Sequence, residues 1–327
     1  MMRKIGMAAI LALTAVTAPS MAIADDAKDA GPLAISNFNA DLYFTNHYIF
    51  RGIANTNDPA IQGDINWVYN GWYLTAWSSN TNFSDSDVEL DFYGGYRWSW
   101  SGFNFDVGGL YYTYPGDSCR KTKLTGGTGA DAGNPAGVDA FGKSICPDAD
   151  YGEFQGIVNY AFSDTFLSPS VTLKFQYSPD FYGSDSDAEH VEGDLALTIP
   201  TGPLGLGDLG FIATVGYQNV DGDESSGKRL CAPITAGTGD GSTSAACDAV
   251  LGNPAGTKYQ DGYDYTWWRV GVNKTIDGFL VDISYYGTSE TTSLKNFYFD
   301  NPGAEVNPRS LIEPHVVATI SRNFTFP

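Results

Sequence analysis

Residues 262–288 read GYDYTWWRVGVNKTIDGFLVDISYYGT, and the second half of this stretch alternates without a fault. Phe279, Val281, Ile283, Tyr285 and Gly287 fall on one face, while Leu280, Asp282, Ser284, Tyr286 and Thr288 fall on the other. A period of two is the mark of a β-strand whose faces meet unlike surroundings. The first half behaves similarly, with Trp268, Val270 and Val272 opposed to Trp267, Arg269, Gly271 and Asn273. Asp277-Gly278 joins the halves, and Asp-Gly supplies the positive φ values of a tight hairpin turn. Each arm runs to ten or more residues. That is long for a globular strand but suits the roughly 9–11 residues a tilted strand needs to cross a bilayer.

The same hairpin, repeated, accounts for most of the chain. Alternation and turn residues predict about twelve strands. They are expected at Phe38–Phe50, Pro59–Tyr69, Trp72–Asn80, Val88–Trp98, Phe103–Tyr114, Tyr151–Phe162, Val171–Ser178, His190–Ile199 and Leu209–Gln218. The two arms of the opening hairpin and Ile312–Phe326 complete the set. In the first, Phe38, Leu42, Phe44, Tyr48 and Phe50 share the apolar face. Long connections (52–58, 81–87, 115–150, 179–189, 220–261 and 289–311) alternate with short turns such as Asn70-Gly71, Ser101-Gly102 and Asp277-Gly278. Transmembrane barrels alternate in this way, with short periplasmic turns and longer extracellular loops, whereas a sandwich or propeller has no reason to do so. The fold class expected is therefore all-β, an antiparallel transmembrane barrel of about twelve strands. Closure follows from solvent chemistry, since in hydrocarbon the backbone has no water to bond and an open sheet edge cannot persist.

Composition agrees. Charged residues make up only 17% of the 327 residues and aromatic residues 14%, while mean hydropathy is slightly negative. Strands with one face in lipid and one in water cancel in this way. Arg3 and Lys4 precede an apolar run from Ile5 to Val16 that ends near Ala22-Ile23-Ala24, the pattern of a cleaved Sec signal peptide. The expected organisation is a signal peptide over residues 1–24 and one barrel domain over 25–327, placed in the outer membrane of a Gram-negative bacterium. Outer-membrane lipid and lipopolysaccharide would be its surroundings. The formal net charge of −20 speaks against nucleic acid as a partner, because phosphate binding wants a basic face.

Aromatic residues near the predicted strand ends suit interfacial girdles: Tyr48, Phe50, Trp67, Tyr69, Trp72, Trp98, Trp100, Tyr111, Tyr114, Tyr263 and Tyr265. Ordinary cross-strand packing is the plainer alternative. Cys119, Cys146, Cys231 and Cys247 lie only in two long connections and lack His neighbours or CxxC spacing, so disulfides are expected rather than a metal site. Of three pairings, Cys119–Cys146 and Cys231–Cys247 keep each link within one loop. Ser-Asp-Ser-Asp occurs at 84–87 and 184–187. It lacks the glycine and glutamate of a calcium loop and reads as solvated loop before it reads as a weak divalent-cation site.

If the apolar faces meet lipid, the inward set includes Asp64, Glu89, Asp91, Arg97, Asp106, Glu153, Lys174, His190, Glu192, Asp194, Arg269 and Asp282. Acids outnumber bases, and acid-rich linings favour cations. Mutual pairing that merely stiffens a closed lumen is the alternative. Tyr73, Trp77, Tyr93, Tyr112 and Trp267 also point inward, so much of the cross-section is expected to be filled. Twelve strands are also fewer than the 16–18 of a wide porin. A narrow or gated passage for small solutes is the first expectation, and a structural barrel with an occluded lumen the second. A hydrolase is the third, and it would need His47 or His190 beside a nucleophile. No G-x-S-x-G elbow is present, and paired acids such as Asp85/Asp87 and Glu192/Asp194 read more simply as an anionic wall. No catalytic residue, metal or cofactor is expected.

Several segments together resemble a known family. Tyr48-Ile49-Phe50-Arg51-Gly52 followed by Pro59-Ala60-Ile61-Gln62-Gly63 is similar to the TorF family of porins, also known as the Gcw_chp proteins of proteobacteria. Ala76-Trp77-Ser78-Ser79-Asn80, the run from Glu89 to Tyr96, Asp106 to Gly116, Tyr177-Ser178-Pro179-Asp180 and Val272-Asn273-Lys274-Thr275 fit in the same order. The resemblance implies an outer-membrane barrel and passive transport, and it brings no established substrate or catalytic residues. One departure concerns the end of the chain. Such barrels finish on an aromatic residue, whereas here Pro327 follows Phe326, which bears on the efficiency of insertion.

Overall fold

The computed structural model describes residues 31–56, 58–81, 86–115, 150–162, 165–181, 187–202, 205, 207–221, 263–289 and 311–326. The segment expected to be a signal peptide, the four cysteines, and residues 84–85 and 184–186 of the two Ser-Asp-Ser-Asp repeats lie outside these residues. Twelve antiparallel strands close into a barrel. In chain order the wall is β1 (Phe38–Thr45), β4 (Ala60–Tyr69), β5 (Trp72–Asn80), β6 (Val88–Trp100), β7 (Phe103–Thr113), β8 (Tyr151–Ala161), β9 (Ser170–Ser178), β10 (Ala188–Ile199), β11 (Leu209–Val220), β12 (Tyr263–Ile276), β13 (Phe279–Thr288) and β14 (His315–Thr325). Two further short strands, β2 (Ile49–Phe50) and β3 (Ile53–Ala54), pair only with each other.

Neighbours in the wall are neighbours in sequence, and the seam is closed by β1 against β14, with Asn39 opposite Thr325 and Thr45 opposite Thr319. Three wall turns, at Asn70-Gly71, Ser101-Gly102 and Asp277-Gly278, carry φ values of 48°/85°, 52°/85° and 51°/82°. These are the paired positive angles of a type I′ turn, whose twist matches that of the flanking strands. The tight turns gather at one end of the barrel, and the strand ends joined by the longer connections lie at the other.

The wall is inside out relative to a soluble protein. Leu42, Phe44, Ile61, Ile65, Leu74, Phe92, Val107, Phe154, Leu173, Val191, Val215, Val270, Ile283 and Ile320 are exposed on the outside, while their chain neighbours are buried or half-buried inside. Such a continuous apolar exterior is stable only against hydrocarbon. At the turn end an outer strip of rings runs Trp72–Tyr96–Trp98–Phe105, with centroid separations of 5.0, 6.1 and 5.1 Å, and Phe103 meets Tyr160 at 4.7 Å. This suits the girdle expected there. Tyr48, Phe50, Tyr114 and Tyr265 do not belong to a girdle, because all four are buried in the interior.

Two strand boundaries also differ from expectation. The first strand stops at Thr45 rather than continuing to Phe50, and the last begins at His315 rather than Ile312. Leu311 and Ile312 are instead 5% and 2% exposed and join the interior apolar cluster, with Thr288 Oγ1 donating to the Ile312 carbonyl. The early exit of β1 is managed by side chains that imitate a strand. Asn46 Oδ1 accepts from the Ala318 N–H and Asn46 Nδ2 donates to the Val316 carbonyl, so the edge of β14 stays bonded beyond the end of β1. Where the chain returns, Asn80 does the same for β4, accepting from the Ile61 N–H and donating to the Pro59 carbonyl.

Candidate functional site: the barrel lumen

Between Asn46 and Pro59 the chain leaves the wall and turns into the lumen. Ile49 pairs with Ala54 and Phe50 with Ile53 across an Arg51-Gly52 turn whose φ values, 47° and 80°, repeat the type I′ geometry of the wall turns. Every residue from Tyr48 to Thr56 is buried. Tyr48 packs on Trp77 of β5, with centroids 5.5 Å apart, and Phe50 meets Tyr112 of β7 edge-on at 5.9 Å. At the tip, a Cβ added to Gly52 would lie 2.5 Å from Cβ of Trp267 on β12 and 3.1 Å from Thr288 on β13. The hairpin therefore spans from its root beside β1 and β4 to the facing wall, and only glycine allows both the turn and the contact.

Arg51 at the tip is held by three strands. Its Nη2 donates to Glu153 Oε1 and Oε2 on β8 at 2.9 and 2.7 Å and to Gln176 Oε1 on β9 at 3.1 Å. Its Nη1 donates to Gln218 Oε1 on β11 at 2.7 Å. Burial by itself would lower the guanidinium's pKa, but the charge and hydrogen bond of Glu153 together with Tyr112 and Tyr151 outweigh it and raise the pKa above the ordinary arginine value, so the side chain is charged. A second tier orients the acceptors. Tyr112 Oη donates to Glu153 Oε2 at 3.0 Å. Trp267 Nε1 donates to His190 Nε2 at 3.2 Å, which leaves Nδ1 as the protonated nitrogen, 3.1 Å from Gln176 Oε1.

The twelve residues selected from the sequence all lie on inward-facing positions of the strands, and all but Asp64 and Lys174 are buried. Arg97 Nε meets Asp106 Oδ2 at 2.8 Å, Lys174 Nζ meets Glu192 Oε1 at 2.7 Å and Arg269 Nη2 meets Asp282 Oδ2 at 2.9 Å. Arg97 also lies 3.8 Å above the ring of Tyr73, whose hydroxyl donates to Asp106 Oδ1. That ring fits over Gly95 and Gly108, where an added Cβ would come within 2.7 Å of the Tyr73 oxygen at either position. Glu153 takes the fourth base, Arg51, at 2.7 Å. Asp41, Asp64, Glu89, Asp91 and Asp194 make no salt bridge among the described residues. Asp41 and Asp64 are direct cross-strand partners between β1 and β4, and Glu89 and Asp91 sit two residues apart on β6. The lining is thus four acid–base pairs with five further carboxylates.

Sequence reasoning missed Arg51, Gln176, Gln218 and Asp41. The last three occupy inward positions of their strands and could have been read from the same alternation. Arg51 could not be read that way, since it falls between the strand expected at Phe38–Phe50 and the connection expected at 52–58. A turn signal was present in the Arg51-Gly52 dipeptide and in the φ-permissive glycine. The hydrolase reading gains no geometry, because both ring nitrogens of His190 are engaged by Trp267 and Gln176. His47 instead faces the ring of His315 at 4.9 Å.

Residues 27–133 match a family described as bacterial protein of unknown function (Gcw_chp). The matched segment carries β1 to β7 and the inward hairpin. Among curated proteins no sequence matches. Solved structures similar to this chain include a NanC porin, at 9% identity over 89% of this chain and 100% of that one, with a TM-score of 0.36. A COG4313 outer membrane channel from Pseudomonas putida F1 aligns at 11% identity over 91% and 98%, with a TM-score of 0.37. The Pseudomonas putida toluene transporter TodX aligns at 10% identity over 93% and 94%, with a TM-score of 0.35. At such scores the assignment of the barrel rests on its own strand pairing and inverted burial.

Proposed function

We infer that this chain is an outer-membrane channel for passive passage of small solutes, preferring cations, with residues 46–59 held across its lumen as a constriction. The reading joins the TorF-type porins suggested by the sequence, with residues 1–24 serving as an export signal and outer-membrane lipid and lipopolysaccharide as the surroundings. The observation that carries it is the contrast between an apolar exterior and an interior with five carboxylates beyond those that basic residues neutralise. Acidic linings at close quarters raise the local concentration of cations. Purified protein in planar bilayers under a KCl gradient tests this. Discrete conductance with a cation-selective reversal potential supports the reading, and an anion-selective one refutes the preference.

The occluded structural barrel is a second reading, favoured by one observation: the hairpin is fastened at its tip to β8, β9 and β11 at once. Silence of both the native chain and an Arg51→Ala variant in the same bilayers would select it, since releasing the tip ought to open any passage the hairpin blocks.

A further inference from the structure

We propose that the recess holding Arg51 is a recognition site for small solutes carrying a guanidinium group, which displace the hairpin by taking the place of its own arginine. The recognition step stands on the recess itself; that displacement opens a passage rests on the channel reading above.

The polar atoms that meet the Arg51 guanidinium are all acceptors: both carboxylate oxygens of Glu153 and the amide oxygens of Gln176 and Gln218, at 2.7 to 3.1 Å. Planar, multi-pronged acceptor sets of this kind select a guanidinium fork over a compact ammonium, which presents its donors in a tripod. The set is also built before any ligand arrives. Tyr112 holds Glu153 from behind, and the Trp267–His190 relay holds Gln176, so these two acceptors are oriented by hydrogen bonds within the wall.

The hairpin, by contrast, depends on the recess. Its strands contribute two residues each and pair with nothing in the wall. The hydrogen bonds that fasten its tip pass through the single Arg51 side chain. A solute that competes for those acceptors therefore releases the tip while leaving the wall untouched; nearer its root the hairpin keeps the hydrogen bond from Thr81 Oγ1 to the Asn55 carbonyl. The neighbourhood carries two further carboxyl groups. Asp91 is the cross-strand partner of Tyr112 and Glu89 stands two residues away; they are 0% and 1% exposed, and Asp91 Oδ1 and Glu89 Oε2 have no hydrogen-bond donor among the described residues. An anion seeking Arg51 would have to expel Glu153 and lie beside these two carboxylates.

Hydrogen exchange of the folded full chain in detergent micelles tests this without requiring conduction. Methylguanidinium is compared with methylammonium and sodium at equal ionic strength. Exchange in residues 46–59 is expected to rise about fivefold with methylguanidinium alone, while 263–289 stays protected. In Gln218→Leu, which removes one acceptor and no charge from Arg51 and the solute alike, exchange in 46–59 should already be raised before any cation is added, and methylguanidinium should add less to it. An equal response to all three cations, no response, or loosening of 263–289 in parallel overturns the proposal. A response in protein that carries no current keeps the recess and removes the channel reading. Current without a response removes the recess and keeps the channel.

Discussion

Two hairpins in this molecule share a turn and differ in everything else. At Asp277-Gly278 and at Arg51-Gly52 the backbone adopts nearly the same pair of positive φ values, 51°/82° and 47°/80°. The first joins strands of 14 and 10 residues that bond to neighbours on both sides and place apolar side chains outward. The second joins two-residue strands that bond only to each other and hold both faces inside the barrel. A wall hairpin is specified locally, since its register, turn and facing follow from alternation and a φ-permissive dipeptide. The inward hairpin is specified by what it meets, namely aromatic rings along its length and three acceptors at its tip. A type I′ turn thus says where a chain reverses and nothing about which solvent the reversal faces.

The sharpest way to break this comparison is at the tip charge. Arg51→Met should leave Glu153 buried without its partner, at a cost of about 3–5 kcal/mol felt by the hairpin and its surroundings. Arg51→Met with Glu153→Met should recover most of that loss. Urea unfolding in lipid vesicles, with hydrogen exchange of 46–59, measures both. Next come the turn glycines. Gly52→Val combines a strained φ with a Cβ 2.5 Å from Trp267, so a loss of roughly 2–5 kcal/mol and release of the hairpin are expected. On the lipid face, Ile283→Arg should cost about 2–4 kcal/mol by placing a charge in the middle of a membrane-facing strand, read as a lowered unfolding midpoint with exchange at 46–59 unchanged. Gly278→Ala closes the series. An added Cβ there meets nothing within 4 Å, so only the backbone strain remains, about 1–2 kcal/mol. Should Gly52→Ala and Gly278→Ala prove equally mild, the hairpin tip is not packed against β12, and the contrast fails.

The lumen lining was legible because alternation is a property of each strand taken alone. Once one residue of β6 is known to face lipid, Glu89, Asp91 and Arg97 must face away from it. Alternation cannot tell whether two inward charges meet, because partners such as Lys174 and Glu192 lie on different strands and their contact depends on register. It also misled at Tyr48 and Phe50, which continue the period of β1 in sequence after the chain has left the wall. Nothing in those two letters distinguishes a ring bound for lipid from one bound for Trp77 and Tyr112.

By itself, then, the order of residues determined about how many strands cross, which way their faces point, the ends at which loops and turns gather, and the acidic character of the interior. All of these follow from short-range periodicity and turn chemistry in a chain that must satisfy its backbone in hydrocarbon. Closure of the barrel placed β8, β9 and β11 around one point of the lumen, and only that closure decided that residues 46–59 fill it and that Arg51 is the fastening. The guanidinium is held by Glu153, Gln176 and Gln218, which stand 102, 125 and 167 residues away along the chain. A contact over such separations exists only once the whole sheet has closed on itself.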